Sequence, residues 1–217
     1  PTGLLAGEGT RMTGTVLEEG LRGAGGHLLN GSEHRFMFDY HEGGERATRD
    51  IVSRAIYAEM RKSNITPNGG VYISMAHLGP ENVAKKFSGM VKRCADCGFD
   101  LAGGLVEVVP TAHYLMGGVI VDTDTRTEMP GLYVAGEDAG GAHGSNRLGG
   151  NGVANSTVYG GIAGDVMGAE AKGALKDIDE NVLEAEIARA VAPLGKPSGN
   201  IHALRRKLMD VMWDDVG

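Results

Sequence analysis

The stretch Val106-Glu107-Val108-Val109-Pro110-Thr111-Ala112-His113-Tyr114-Leu115-Met116-Gly117-Gly118 decides the fold. The valine-rich run reads as a strand, and the glycine pair reads as a turn. Between them the strand end delivers a histidine and a tyrosine. Upstream, strands and helices alternate, which predicts a compact α+β unit over roughly 1–112. Downstream the pattern becomes strand, turn, strand: Val119-Ile120-Val121, a polar turn at 122–128, then Leu132-Tyr133-Val134-Ala135. A glycine cluster at 140–152 then opens a small-residue helix over about 150–167.

Working back from that strand, Asn30-Gly31 is a turn signal between His27-Leu28-Leu29-Asn30 and Arg35-Phe36-Met37-Phe38, so a hairpin is expected. Thr48 or Asp50 can cap a helix carrying Ile51, Val52, Ala55, Ile56 and Met60 at helical spacing, ending before Asn64 and Pro67. Residues 71–75 alternate as a strand, Pro80 opens a helix to about Gly89, and a further helical stretch covers 89–97. Beyond a glycine- and alanine-rich join near 168–174, two amphipathic helices are expected. One carries Val182, Leu183, Ile187, Ala190 and Val191, the other Ile201, Leu204, Leu208, Val211 and Met212. Their apolar faces should pack on each other or on other protein.

Glycine makes up 36 of 217 residues without a collagen period, so glycine-lined contact surfaces are expected. The formal net charge of −7 leaves no basic stripe for phosphates, which excludes nucleic acid as a partner. No apolar run reaches the roughly 20 residues that span a bilayer, and no signal segment opens the chain, so it reads as soluble, without direct membrane insertion. Cys94-x-x-Cys97 has the spacing of a redox pair or half a zinc site. With no second cysteine pair, and with flanks that look like a helix end and a turn, the structural reading is preferred and no metal is assigned. The chain starts at Pro1 without methionine and has no Gly-x-Gly-x-x-Gly between strand and helix, so a complete dinucleotide-binding half is expected to be missing.

Several motifs then stand in order: Pro1-Thr2-Gly3, Glu19-Gly20-x-Arg22-Gly23, Thr48-Arg49-Asp50, 110–118 as quoted, and His143-Gly144-x-Asn146-Arg147-Leu148-Gly149-Gly150-Asn151. In order and spacing they resemble the succinate dehydrogenase/fumarate reductase flavoprotein family, strongly over 1–165 and weakly over 176–217. The resemblance implies an α+β capping domain at 1–112, the terminal segment of an α/β FAD-binding domain at 113–170, and a linker with the start of a helical domain at 171–217. It implies FAD as cofactor and hydride exchange between the flavin and a C4 dicarboxylate. An iron–sulfur subunit is a further implied partner. Through it the resemblance implies peripheral attachment to the cytoplasmic side of the inner membrane for an otherwise cytoplasmic protein.

Residue by residue, the resemblance makes Arg49 the proton donor and acceptor, with Glu19 and Arg22 as its proton path. His113 and Arg147 become carboxylate clamps, a guanidinium offering a bidentate fork. Glu137, Asn146, Gly149, Gly150, Asn151, Gly152 and Val153 would hold the cofactor, the helix start directing its free amides at the flavin. Two positions depart from the family. Its usual threonine is Glu18 here, at the substrate, where a carboxylate would repel a dianion, favour a substrate with an amine or hydroxyl, or turn away. Its usual serine after Asn151 is Gly152. The fragment alone is expected to be inactive. A flavoprotein oxidase of the L-aspartate oxidase type and a stand-alone ligand- or partner-binding module are the alternative readings.

Overall fold

The computed structural model describes residues 2–7, 12–17, 19–171, 179–197 and 199–216. They divide into two compact units, Pro1–Gly168 and Ala169–Gly217.

The first unit is built on an antiparallel sheet of β1 (Thr2–Leu4), β2 (His27–Leu29), β3 (Val71–Ser74) and β4 (Leu105–Pro110), ordered β1-β4-β3-β2. The valine-rich run is a central strand: Val108 lies opposite Leu4 on one side and Val71 on the other. Alternation puts Leu4, Leu28, Val71, Ile73, Val106 and Val108 into the core, all fully buried. Its helices are α1 (Gly20–Gly23), α2 (Met37–Tyr40), α3 (Arg49–Arg61), α4 (Pro80–Lys86), α5 (Ser88–Ala95) and α6 (Asn151–Glu170), the last running past the unit boundary.

Helix α3 covers the sheet with Val52, Ala55 and Ile56, each side chain contributing on the order of 1–3 kcal/mol by leaving water. Thr48 is the extended residue before it, Asp50 and Arg61 complement the helix dipole at its two ends, and Ser63 stops the chain at φ +60°. Glu107, on the alternate register of β4, is also buried. It accepts bonds from Asn68 N and Nδ2 at 3.0 and 2.9 Å and from the Thr66 hydroxyl, strapping the 64–70 loop to the sheet.

Two expected strand pairs are not formed. The hairpin reduces to one bridge, Leu29 with Arg35, because Phe36 and Met37 are both fully buried, and neighbours in a strand cannot share a face; the chain turns into α2 instead. Likewise 119–121 and 132–135 make only isolated bridges, Val119 with Ala139 and Arg126 with Tyr133. Ile120 remains 81% exposed, so this segment lacks the ladder that would make its apolar residues a strand. In the second unit, α7 (Glu180–Val191) and α8 (Ile201–Val211) form where amphipathic helices are expected, capped by Asp179 and Asn200. Their faces do not bury each other: Val182, Ile187, Leu204 and Leu208 are all at least 53% exposed.

Cys94 lies in the last turn of α5 and Cys97 in the turn after it, the helix end and turn their flanks predict, with the Cys97 N–H bonding to the Cys94 carbonyl at 3.0 Å; both thiols are free. Burial, with help from Cys97, pushes the Cys94 thiol up to about 11. Iodoacetamide at pH 8 should therefore label Cys94 more than about tenfold slower than Cys97, followed by peptide mass, because only thiolate reacts. Equal rates would contradict this.

Candidate active site

Two glycine-bounded segments and one helix start meet around a cavity of about 270 Å³. One wall is Glu19, Arg22 and Gly23 at α1. A second is residues 45–49, leading into α3, and a third is the loop Asn146–Gly149. Four arginines, 22, 46, 49 and 147, line the cavity against two glutamates, 19 and 45, an excess suited to an anion.

Glu19 divides its carboxylate between two guanidiniums. Its Oε2 accepts from Arg49 Nη2 at 3.0 Å and its Oε1 from Arg22 Nη2 at 3.4 Å. Arg22 is buried and also donates through Nη1 to the Glu45 carbonyl at 2.8 Å. Burial, and secondarily the nearby Arg49, lower the Arg22 pKa, while Glu19 and Glu45 oppose them. The result is a continuous line Arg22, Glu19, Arg49, the shape a proton path requires. Glu45 is held from behind by Arg35, whose Nε and Nη2 donate at 2.9 and 2.7 Å, and by the Leu28 N–H at 3.1 Å.

On the third wall Arg147 is 7% exposed, with its Cζ 4.2 Å from the centre of the Tyr114 ring. Its Nη1 donates to the Leu148 carbonyl at 3.1 Å, and its buried Nε has no partner. Gly149 lies beside Arg49, a Cβ there standing at ordinary contact distance, 3.5 Å, from Arg49 Nη2. Asn146 Nδ2 donates to Asp50 Oδ1 at 2.9 Å and fastens the loop to the start of α3.

Of the two expected clamps, Arg147 lines the cavity together with Arg49, the expected proton donor, while His113 does not line it; the imidazole is exposed, next in sequence to Tyr114. Glu18 lies outside the described residues. Glu137 accepts the Leu115 N–H at 2.8 Å and joins 113–118 to the turn at 136–138. Sequence reasoning missed Glu45 and Arg46 in the lining, and Asn155 on α6. The proximity of 45 and 46 to Arg49, and the one-turn step from Asn151 to Asn155, were the available signals.

The first 153 residues match the family model described as FAD binding domain. The chain belongs to the succinate dehydrogenase/fumarate reductase flavoprotein family. Within that family it is 40% identical over its full length to a chain of the fumarate reductase (CoM/CoB) of Methanothermobacter marburgensis, of which it covers 39%. It is 36% identical to the L-aspartate oxidase of Yersinia pestis over 93% of its length and 37% of that protein. Among solved structures, a quinol-fumarate reductase chain superposes with TM-score 0.82 at 31% identity over 98% of this chain and 39% of the other. Mycobacterium smegmatis Sdh1 gives TM-score 0.72 at 37% identity over 100% and 37%. The chain thus spans about two fifths of these flavoproteins.

The cofactor of the family is FAD, and the residues present fit it. Gly150 takes φ +84°, with open space where a side chain would stand. Helix α6 begins at Asn151, so the amides of its first turn have no intrahelical acceptor. Asn151 and Val153 are exposed beside them, as is Glu137 on its own turn. Such a glycine-flanked helix start suits an anionic ring or phosphate edge. Among the described residues no cluster could hold a metal, and no helix is long and apolar enough to cross a membrane.

Proposed function

We propose that the full-length protein interconverts a C4 dicarboxylate and its unsaturated partner, of the succinate/fumarate type, and that this chain supplies the substrate clamp and the proton path. The observation that carries the reading is that Arg49 and Arg147, from separate segments, line one cavity while Arg49 joins Arg22 through Glu19. FAD, when bound, supplies the hydride acceptor or donor. Arg147 and Arg49 hold the two carboxylates, with His113 as a further donor brought in by closure of the 1–112 capping domain over 113–170. Arg49 also moves the proton at the neighbouring carbon, which Glu19 and Arg22 resupply or remove, so the guanidinium is deprotonated only in passing. Glu137, Asn146 and Gly149 to Val153 are assigned to the flavin, and 171–217 to the start of a helical domain. An iron–sulfur subunit is the proposed electron partner, with peripheral membrane attachment through it.

The test is to express the full-length protein, read flavin absorbance, and assay succinate, fumarate and L-aspartate. Arg147→Gln should raise KM for the dicarboxylate about 30-fold, the loss of one charge-assisted clamp of roughly 2 kcal/mol. Flavin without dicarboxylate turnover would defeat the proposal. The acid at position 18 and the L-aspartate oxidase relatives support a second reading, with an amine on the substrate; oxidation of L-aspartate in preference to succinate would establish it. FAD titration of the isolated chain should show no tight binding, since the fragment is proposed to be inactive alone.

A further inference from the structure

Behind Arg147 stands a polar array that the proton path and the flavin contacts do not use. Asn155 is buried on α6, one turn from its start, and its Nδ2 donates to the Gly136 carbonyl at 3.1 Å. That bond fixes which end of the amide is NH₂. The same Nδ2 lies 3.1 Å from His143 Nε2, and the Tyr114 hydroxyl lies 3.3 Å from that nitrogen. Two donors aimed at Nε2 make it an acceptor and put the imidazole proton on Nδ1. The rings of Tyr114 and His143 meet edge to face, with centres 5.5 Å apart. The far face of the array carries the Arg147 guanidinium over the Tyr114 ring.

Gly152 completes the packing. A Cβ there would lie 3.0 Å from Tyr114 Cε2 and 3.5 Å from Arg147 Cζ and Nη1, so the first turn of α6 touches both members of the stack. We infer that Asn155, His143 and Tyr114 are positioning residues that set the angle of the Arg147 clamp against the first turn of α6. The array runs from the helix assigned to the flavin to the arginine assigned to the substrate, so one element references both. Arg147 spends few hydrogen bonds on its own protein and keeps its remaining donors for an anion.

The inference rests on the dicarboxylate reading of the cavity for its binding readout only. In the full-length flavoprotein with FAD, malonate is a dianion that the flavin cannot dehydrogenate, and it is read by perturbation of the flavin spectrum. Tyr114→Leu should weaken malonate about tenfold and raise KM for fumarate equally, with kcat down less than about threefold. Tyr114→Phe keeps the ring under Arg147 and loses only the hydroxyl's contact with His143, so it should fall between Tyr114→Leu and wild type. Phenylglyoxal modification of Arg147, followed by peptide mass, needs no substrate and should quicken in Tyr114→Leu and Asn155→Leu. Faster modification without any malonate binding by the wild-type protein would defeat the dicarboxylate reading and keep the array. Unchanged modification rates and malonate affinity in Tyr114→Leu, or a Tyr114→Phe variant as impaired as Tyr114→Leu, would overturn it.

Discussion

Arg49→Lys in the full-length flavoprotein is expected to cut fumarate turnover about 10³-fold with flavin content unchanged. The substitution keeps a positive charge at the mouth of α3, so loss of charge is not the cause. What it removes is reach and planarity. Arg49 uses Nη2 to meet Glu19 Oε2 at 3.0 Å and lies beside Gly149, leaving the rest of the fork for substrate. A lysine ammonium is a point charge on a flexible stem and cannot contact an acid and a substrate carbon from two rigidly linked nitrogens. Because Glu19 also binds Arg22, shortening one link strands the carboxylate on the other side. KM should change less than kcat, since Arg147 still holds a carboxylate. Turnover within about tenfold of wild type would remove Arg49 from the proton path.

The legible parts of this protein were those in which local chemistry and tertiary environment agree. Val106 and Val108 announced a buried strand because their β-branched side chains repeat with period two, and α3 was readable from Val52, Ala55 and Ile56. Ile120 and Leu132 carry the same signal but sit 81% and 44% exposed, in segments that make only single bridges. A strand needs a partner, and strand propensity says nothing about whether one is present. Phe36 and Met37 failed for the opposite reason: each looks like strand, but burying two neighbours together demands a helical turn. At the site, Arg147 stands out in a glycine-flanked motif and Arg49 in Thr48-Arg49-Asp50, and both line the cavity. Glu45 offered only its nearness to Arg49 as a signal, because an acid before an arginine in a polar stretch is ordinarily solvated, and only the fold puts Arg35 and the Leu28 amide around it.

That buried acid makes the second large effect. Glu45→Ala is expected to cost about 3–4 kcal/mol, read as the urea midpoint of the full-length flavoprotein, because it leaves a buried N–H and a guanidinium without their acceptor. Arg35 is 39% exposed and recovers some hydration, which keeps the figure below that of a fully buried pair. Glu45→Gln separates charge from shape, since its amide oxygen can still accept the Leu28 N–H. Burial alone would raise the Glu45 carboxyl, yet the Arg35 bonds, the Leu28 N–H and its own amide outweigh it and leave the carboxyl below the usual carboxylate value. A depressed folded value stabilises the native state wherever the unfolded carboxyl is ionised, above about pH 5, and that contribution drains as pH falls below the ordinary value near 4.3. The gap between wild type and Glu45→Gln should therefore be full at pH 7 and close as the pH approaches about 3. A gap constant across that range would mean that the Glu45 charge does not stabilise the fold through Arg35 and the Leu28 N–H.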